Sequence, residues 1–198
     1  GRSETGGLPL HAKKSAEDLA VLLKRLEIPR PYLVVGHSYG GAVARLFAAM
    51  YPEDIGGLIL EDCQHEDILE EQRKTLKGAD LKQLEKMVEM MSSKGEPTTE
   101  LGFIMESRKQ LHESPPLPVV PFVVITSGDR SKAMPPMFSE EGKTALIALG
   151  LDLQKRLVDL IPGGKHIIAE NAGHNIHAEK PEVLVKPILE MLEKARAR

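Results

Sequence analysis

The chain is short of several features, and each shortage excludes a class of protein. Cysteine occurs once, at Cys63, so no intrachain disulfide can form and a reducing, cytoplasmic setting is expected. That cysteine reads as a small buried apolar residue rather than a reactive thiol. Apolar runs are short, and none approaches the roughly 20 residues a membrane-spanning helix needs. Positive charge is neither abundant nor clustered: the net charge is -3 and Lys and Arg are scattered, which argues against a nucleic-acid surface. Internal repeats, heptads and low-complexity tracts are absent, which removes repeat arrays and coiled coils. No signal peptide is visible, but the chain opens on Gly1 rather than Met, so that absence carries little weight.

What is present fits one globular domain. At 198 residues, 41% hydrophobic and 28% charged, the chain can bury a substantial core. Strand and helix patterns alternate. Short apolar runs at 32–36, 57–62, 121–126 and 165–169 read as buried strands. Between them, helical spacing predicts helices over 11–26, 41–50, 142–161 and 182–197, with Leu19, Leu22, Leu23 and Leu26 marking the first. Pro187 is expected to kink or divide the last. Residues 66–113 break the rhythm with short amphipathic helices near 68–77, 80–91 and 101–112, separated by Gly78 and Gly95-Glu96-Pro97. Alternating units of this kind imply an α/β fold, a mainly parallel sheet with helices on both faces.

The richest stretch is Gly36-His37-Ser38-Tyr39-Gly40, a G-x-S-x-G pentapeptide between the first strand and the next helix. A strand, a sharp turn and a helix are what a nucleophile elbow requires, because a strained turn lifts the serine hydroxyl clear of the sheet. Gly36 and Gly40 are expected where a Cβ would strike neighbouring backbone. The plain alternative is a glycine-rich turn holding an ordinary serine.

A second cluster, Asn171-Ala172-Gly173-His174-Asn175-Ile176-His177, follows the last strand at its carboxyl end. Open α/β sheets gather active groups on that edge, where Ser38 would also sit. His174 could take the serine proton and return it to a leaving group. His177 is its nearest rival. His37 adjoins the serine and should point away from it, while His11, His65, His112 and His166 lie at element ends. A triad also needs a carboxylate to orient the imidazole. Asp62 ends the second strand and Asp129 follows the third, in Thr126-Ser127-Gly128-Asp129-Arg130. Either gives the chain order Ser, Asp, His. Alternatively, Asp62 caps a turn and Asp129 pairs with Arg130 or solvent.

With these residues in place, the chain resembles the α/β-hydrolase superfamily, in its lid-bearing, esterase-like branch. GHSYGGAVA resembles the elbow, PFVVITSGD the acid strand, and ENAGHNIHAEKPEVLV the histidine loop with its following helix. The resemblance covers nearly the whole chain. It implies a hydrolase core over residues 1–65 and 114–198 and a helical lid insert over 66–113. It implies Ser38 as nucleophile, His174 as base and the Tyr39 N–H as one oxyanion donor. The family's acid commonly stands three residues after the glycine ending its strand, which is Ser131 here. Asp129, offset from that place, is the first choice; Asp62 is the alternative, used by relatives with an acid after the preceding strand.

The family also has about four strands before the equivalent of Leu19, with a loop that supplies the second oxyanion donor. Here Gly1-Arg2-Ser3 resembles the tail of the turn that follows them, and no His-Gly oxyanion segment is present. The expectation is a fragment, or the carboxyl-terminal half of the sheet with the triad retained. The strand at 32–36 would then have an edge open to upstream chain or a partner subunit. The function implied is a serine hydrolase acting on an ester or related acyl compound, probed by a Met-rich, apolar pocket, without metal or organic cofactor. The rival readings are a hydrolase-like small-molecule binding protein, a catalytically impaired fragment, and an acyltransferase or perhydrolase.

Overall fold

A computed structural model describes residues 9–92 and 103–196. Gly1-Arg2-Ser3 and the Gly95-Glu96-Pro97 separator lie outside the described residues. Four strands form one parallel sheet in chain order: β1 (Tyr32–His37), β2 (Ile55–Glu61), β3 (Phe122–Ser127) and β4 (Lys165–Ala169). The inner strands are buried on both faces, which is why β2 and β3 read as continuous apolar runs rather than alternating ones.

Helices cover both faces. On one side lie α1 (Ala12–Arg25), α2 (Gly40–Met50) and the end of α6 (Glu140–Val158), packing Phe47 and Leu157 against Leu58, Leu60, Phe122 and Val124. On the other, α8 (Pro181–Arg196) packs Met191 and Ile188 against Ile59, Val123 and Ile125. The α/β class with a mainly parallel sheet is therefore as expected. Two local expectations change. The buried stripe of α1 is Ala12, Ala16, Leu19, Ala20 and Leu23, whereas Leu22 and Leu26 are exposed. Small alanines let α1 lie close to α2, so they, and not the two leucines, face inward. The neighbouring α2 is buried nearly all round, because α1, α5 (Ile104–His112) and the sheet enclose it. Finally, α8 runs unbroken through Pro187. Packing of Val183, Leu184 and Ile188 on the sheet side holds the helix across the backbone bond that proline removes.

Between β2 and β3 the chain leaves the sheet. Here α3 (Ile68–Thr75) and α4 (Gly78–Ser92) form a third apolar cluster, in which Leu69, Leu76 and Leu84 meet Phe138 and Leu146, whereas α5 packs Leu111 into the first cluster beside α1 and α2. Asp80 ties α4 to the start of α6 by accepting from the Ser139 N–H at 2.8 Å and its hydroxyl at 2.5 Å. No helix among the described residues is long and apolar enough to cross a membrane.

Candidate active site

Ser38 stands between β1 and α2 with φ = +53°, in the left-handed region that a non-glycine residue rarely adopts. Such a conformation costs on the order of 1–3 kcal/mol and persists only where surrounding contacts fix it. Two do so: Ser38 N–H donates to the Glu61 carbonyl at 3.0 Å, and Gly41 N–H donates to the Ser38 carbonyl at 3.1 Å. A Cβ at Gly36 would come within 2.6 Å of the Gly40 carbonyl oxygen, as expected of a tight elbow. Gly40 is different from expectation, since a Cβ there would meet nothing within 4 Å. The crowded second glycine is Gly41, whose Cβ would fall 1.9 Å from Cys63 Sγ. Cys63 is buried, donates to the Gly36 carbonyl at 3.1 Å, and its thiol is pushed up to about 12 by burial. It packs the elbow and holds no thiolate at neutral pH.

The carboxylate on His174 is Asp62. His174 Nδ1 lies 2.7 Å from Asp62 Oδ2. Asp62 is 7% exposed, and its other oxygen accepts from the Ser127 N–H at 3.1 Å and Arg130 Nη1 at 2.9 Å. Burial works against its ionisation, but the His174 hydrogen bond, the Arg130 charge and the Ser127 N–H together hold it below the usual carboxylate value. An ionised carboxylate only accepts, so Nδ1 carries the proton and Nε2 is left as the basic nitrogen. The same hydrogen bond raises the His174 pKa, against burial and the Arg130 charge. Asp129, the first choice from the sequence, does not reach His174. Its backbone N–H donates to the Ala172 carbonyl at 2.9 Å, and its carboxyl accepts from the Ser131 hydroxyl at 2.5 Å. The hydrogen bond thus joins His174 to Asp62, the alternative candidate, and not to Asp129, for a physical reason: Arg130 turns inward to Asp62, and Asp129 stays at the strand exit. Gly150 makes that path open, because a Cβ there would lie 2.9 Å from Arg130 Nε.

A second carboxyl–histidine pair lies behind the first. Glu61 is 1% exposed, and its Oε1 accepts from the backbone N–H of His177 at 2.7 Å and from His177 Nδ1 at 2.8 Å. This pins the first turn of α7 (Ile176–Glu179) to the end of β2. The His37 ring sits between the two pairs, with centroids 4.6 Å from His174 and 4.8 Å from His177. Its Nε2 donates to the His174 carbonyl at 3.0 Å. His37 does turn away from the serine, but toward the underside of the histidine loop. Sequence reasoning missed this arrangement, and the adjacency of Glu61 to Asp62 was its only trace. His37, Glu61 and His177 also bring ligand-type atoms within 4.8 Å of one another, and hydrogen bonds to the loop already engage all three.

Ser38, Asp62 and His174 line one cavity of about 550 Å³. Among the described residues, no hydrogen bond joins the Ser38 hydroxyl to His174. The cavity runs beneath the insert, and Leu69, Leu84, Met87, Ile104 and Met105 give it apolar walls. A smaller one of about 80 Å³ adjoins it, lined by Ser38, Tyr39, Ala42 and Ser107.

Residues 1–89 match the family described as "alpha/beta hydrolase fold". The Bacillus subtilis protein YqjL is 27% identical over 180 residues, which is 87% of this chain and 61% of YqjL. The chain thus spans about three-fifths of the length of that relative. A thermophilic esterase from Thermogutta terrifontis superposes with a TM-score of 0.57 at 21% identity, over 98% of this chain and 76% of the esterase. An alpha/beta hydrolase enzyme from a Moroccan lagoon-sediment metagenome superposes with a TM-score of 0.55 at 17% identity, over 98% and 74% of the two chains. The family match over residues 1–89 includes the turn that holds Ser38, and nearly the whole chain shares the α/β-hydrolase fold with these structures.

Proposed function

We propose that this protein is a serine hydrolase that cleaves an ester or related acyl compound through an acyl-enzyme. Ser38 Oγ attacks the carbonyl carbon while His174 Nε2 takes its proton. Asp62 holds the proton on Nδ1 and stabilises the imidazolium that forms. The Tyr39 N–H, first in the chain after the nucleophile, donates to the developing oxyanion. When the tetrahedral intermediate collapses, the C–O bond to the leaving group breaks and His174 returns the proton to the departing oxygen. Water then adds to the acyl carbon with His174 again as base, and Ser38 is released. Residues 66–113 serve as a lid over the core of 1–65 and 114–198, and the apolar walls they lend the cavity suit an acyl chain.

The observation that carries this reading is the 2.7 Å contact between His174 and an ionised, buried Asp62, in the same cavity as a serine held at φ = +53°. The test is turnover of 4-nitrophenyl butyrate. Wild-type protein releases nitrophenol with saturation kinetics, and Ser38→Ala releases it at the background rate. Equal turnover by both would contradict the proposal. Ligand retention without turnover would favour a binding protein.

A further inference from the structure

Two arginines line the large cavity, and only one is neutralised. Arg130 is bonded to Asp62. Arg108, on α5, is not paired with any carboxylate among the described residues. Its Nη2 donates to the Gln64 side-chain oxygen at 3.1 Å, and its Nη1 faces the Met105 sulfur at 3.5 Å. Neither partner carries charge, and the remaining N–H groups have no protein partner among the described residues. The nearby Glu66 cannot serve, since Arg45 holds it bidentately at 2.6 and 2.8 Å. The position of Arg108 is as telling as its partners. It lines both the large and the small cavity, and so does Ser38. Arg108 and the candidate nucleophile therefore both stand where the two compartments meet.

A half-buried cation against apolar walls and without a counter-charge is less favourable than one that a ligand neutralises. Burial acts on Arg108 in that sense, pushing its pKa below the ordinary value, though a guanidinium remains charged at any physiological pH. The apolar walls rule out a hydrated ion as the whole ligand. What fits both is a molecule with a hydrocarbon body and one anionic group.

Building on the serine-hydrolase reading, we infer that the substrate carries a carboxylate, and that Arg108 seats it while the acyl carbon lies against Ser38. Arg–carboxylate pairs form two parallel, charge-assisted hydrogen bonds, so Arg108 would fix orientation as well as charge. The site then selects half-esters of dicarboxylic acids, or close relatives, over neutral esters of the same shape.

The experiment compares 4-nitrophenyl monoesters of glutarate, adipate, pimelate and suberate with neutral esters in which a methyl-branched end replaces the carboxylate. Wild-type protein should prefer at least one half-ester over its neutral counterpart by roughly tenfold or more in kcat/KM, in line with a charge-assisted bond. In Arg108→Met that ratio should fall to about one, and Arg108→Lys should recover part of it as a point charge. A preference that is absent in wild type, or that survives in Arg108→Met, overturns the inference. If no ester is turned over, the hydrolase reading fails and calorimetry with the free dicarboxylates decides the Arg108 site separately. Binding by wild type that is lost in Arg108→Met upholds the site, and no binding by wild type, or equal binding by both, removes it.

Discussion

Asp62→Asn lowers kcat for ester hydrolysis by about 10⁴, whereas Asp129→Asn changes it by less than about tenfold. The contrast follows from what each carboxyl touches. Asp62 accepts from His174 Nδ1 at 2.7 Å and is itself fixed by Arg130 and the Ser127 N–H. An asparagine there presents an N–H or an uncharged oxygen, and the imidazole loses both its tautomer and the charge that stabilises its protonated form. Asp129 accepts from the Ser131 hydroxyl and lies at the strand exit, so its amide leaves the imidazole untouched. Kinetics on both variants, with circular dichroism to verify folding, reads the difference. Equal losses, or the larger loss at Asp129, would refute the assignment.

The second large effect is at the base. His174→Ala lowers kcat by about 10⁶, as removal of a triad histidine does, and His177→Ala by less than about tenfold. Of the two, only His174 lines the cavity with Ser38. His177 is turned to Glu61, and its backbone N–H bond to that carboxyl survives the substitution. The same residue sets the pH profile. His174 must be neutral to accept a proton, and its hydrogen bond to Asp62 raises its pKa, so the acid limb of kcat/KM lies at higher pH than an ordinary imidazole would place it. Arg130 acts in the opposite direction on His174. Removing that charge in Arg130→Met therefore moves the limb to higher pH, and a shift to lower pH would contradict the geometry.

Much of this architecture can be read from residue patterns. The four strands lie within two residues of the expected spans, because buried parallel strands are uninterrupted apolar runs bounded by turn residues. The elbow and the histidine loop are legible for the same reason, since each follows a strand end directly. The choice between Asp62 and Asp129 is not legible. It depends on Arg130 crossing over Gly150 to reach Asp62, and spacing along one loop suggests instead that Arg130 pairs with its neighbour. The pairing of Glu61 with His177, and the place of His37 beside it, are not legible because they join β1, β2 and α7, which are far apart in the chain. Arg108 escapes for another reason. A lone arginine on an amphipathic helix looks like part of a solvated face until the cavity beneath the helix is seen. Gly40 shows the converse error: a motif glycine is not crowded, and its neighbour Gly41 is.

The central claim is that the Ser38 hydroxyl is the activated nucleophile. The most direct measurement is incubation of folded protein with a fluorophosphonate, followed by mass mapping of the adduct. One adduct is expected, on Ser38, forming far more slowly in His174→Ala and absent after unfolding. Other serines are poorly placed to compete. Ser107 is 1% exposed and bonded to Ala12 N–H, Tyr39 and the Phe103 carbonyl. Ser127 is 2% exposed and donates to the Ala172 carbonyl. An adduct on Ser107, Ser127 or any other hydroxyl, with Ser38 unmodified in the folded protein, would contradict the account.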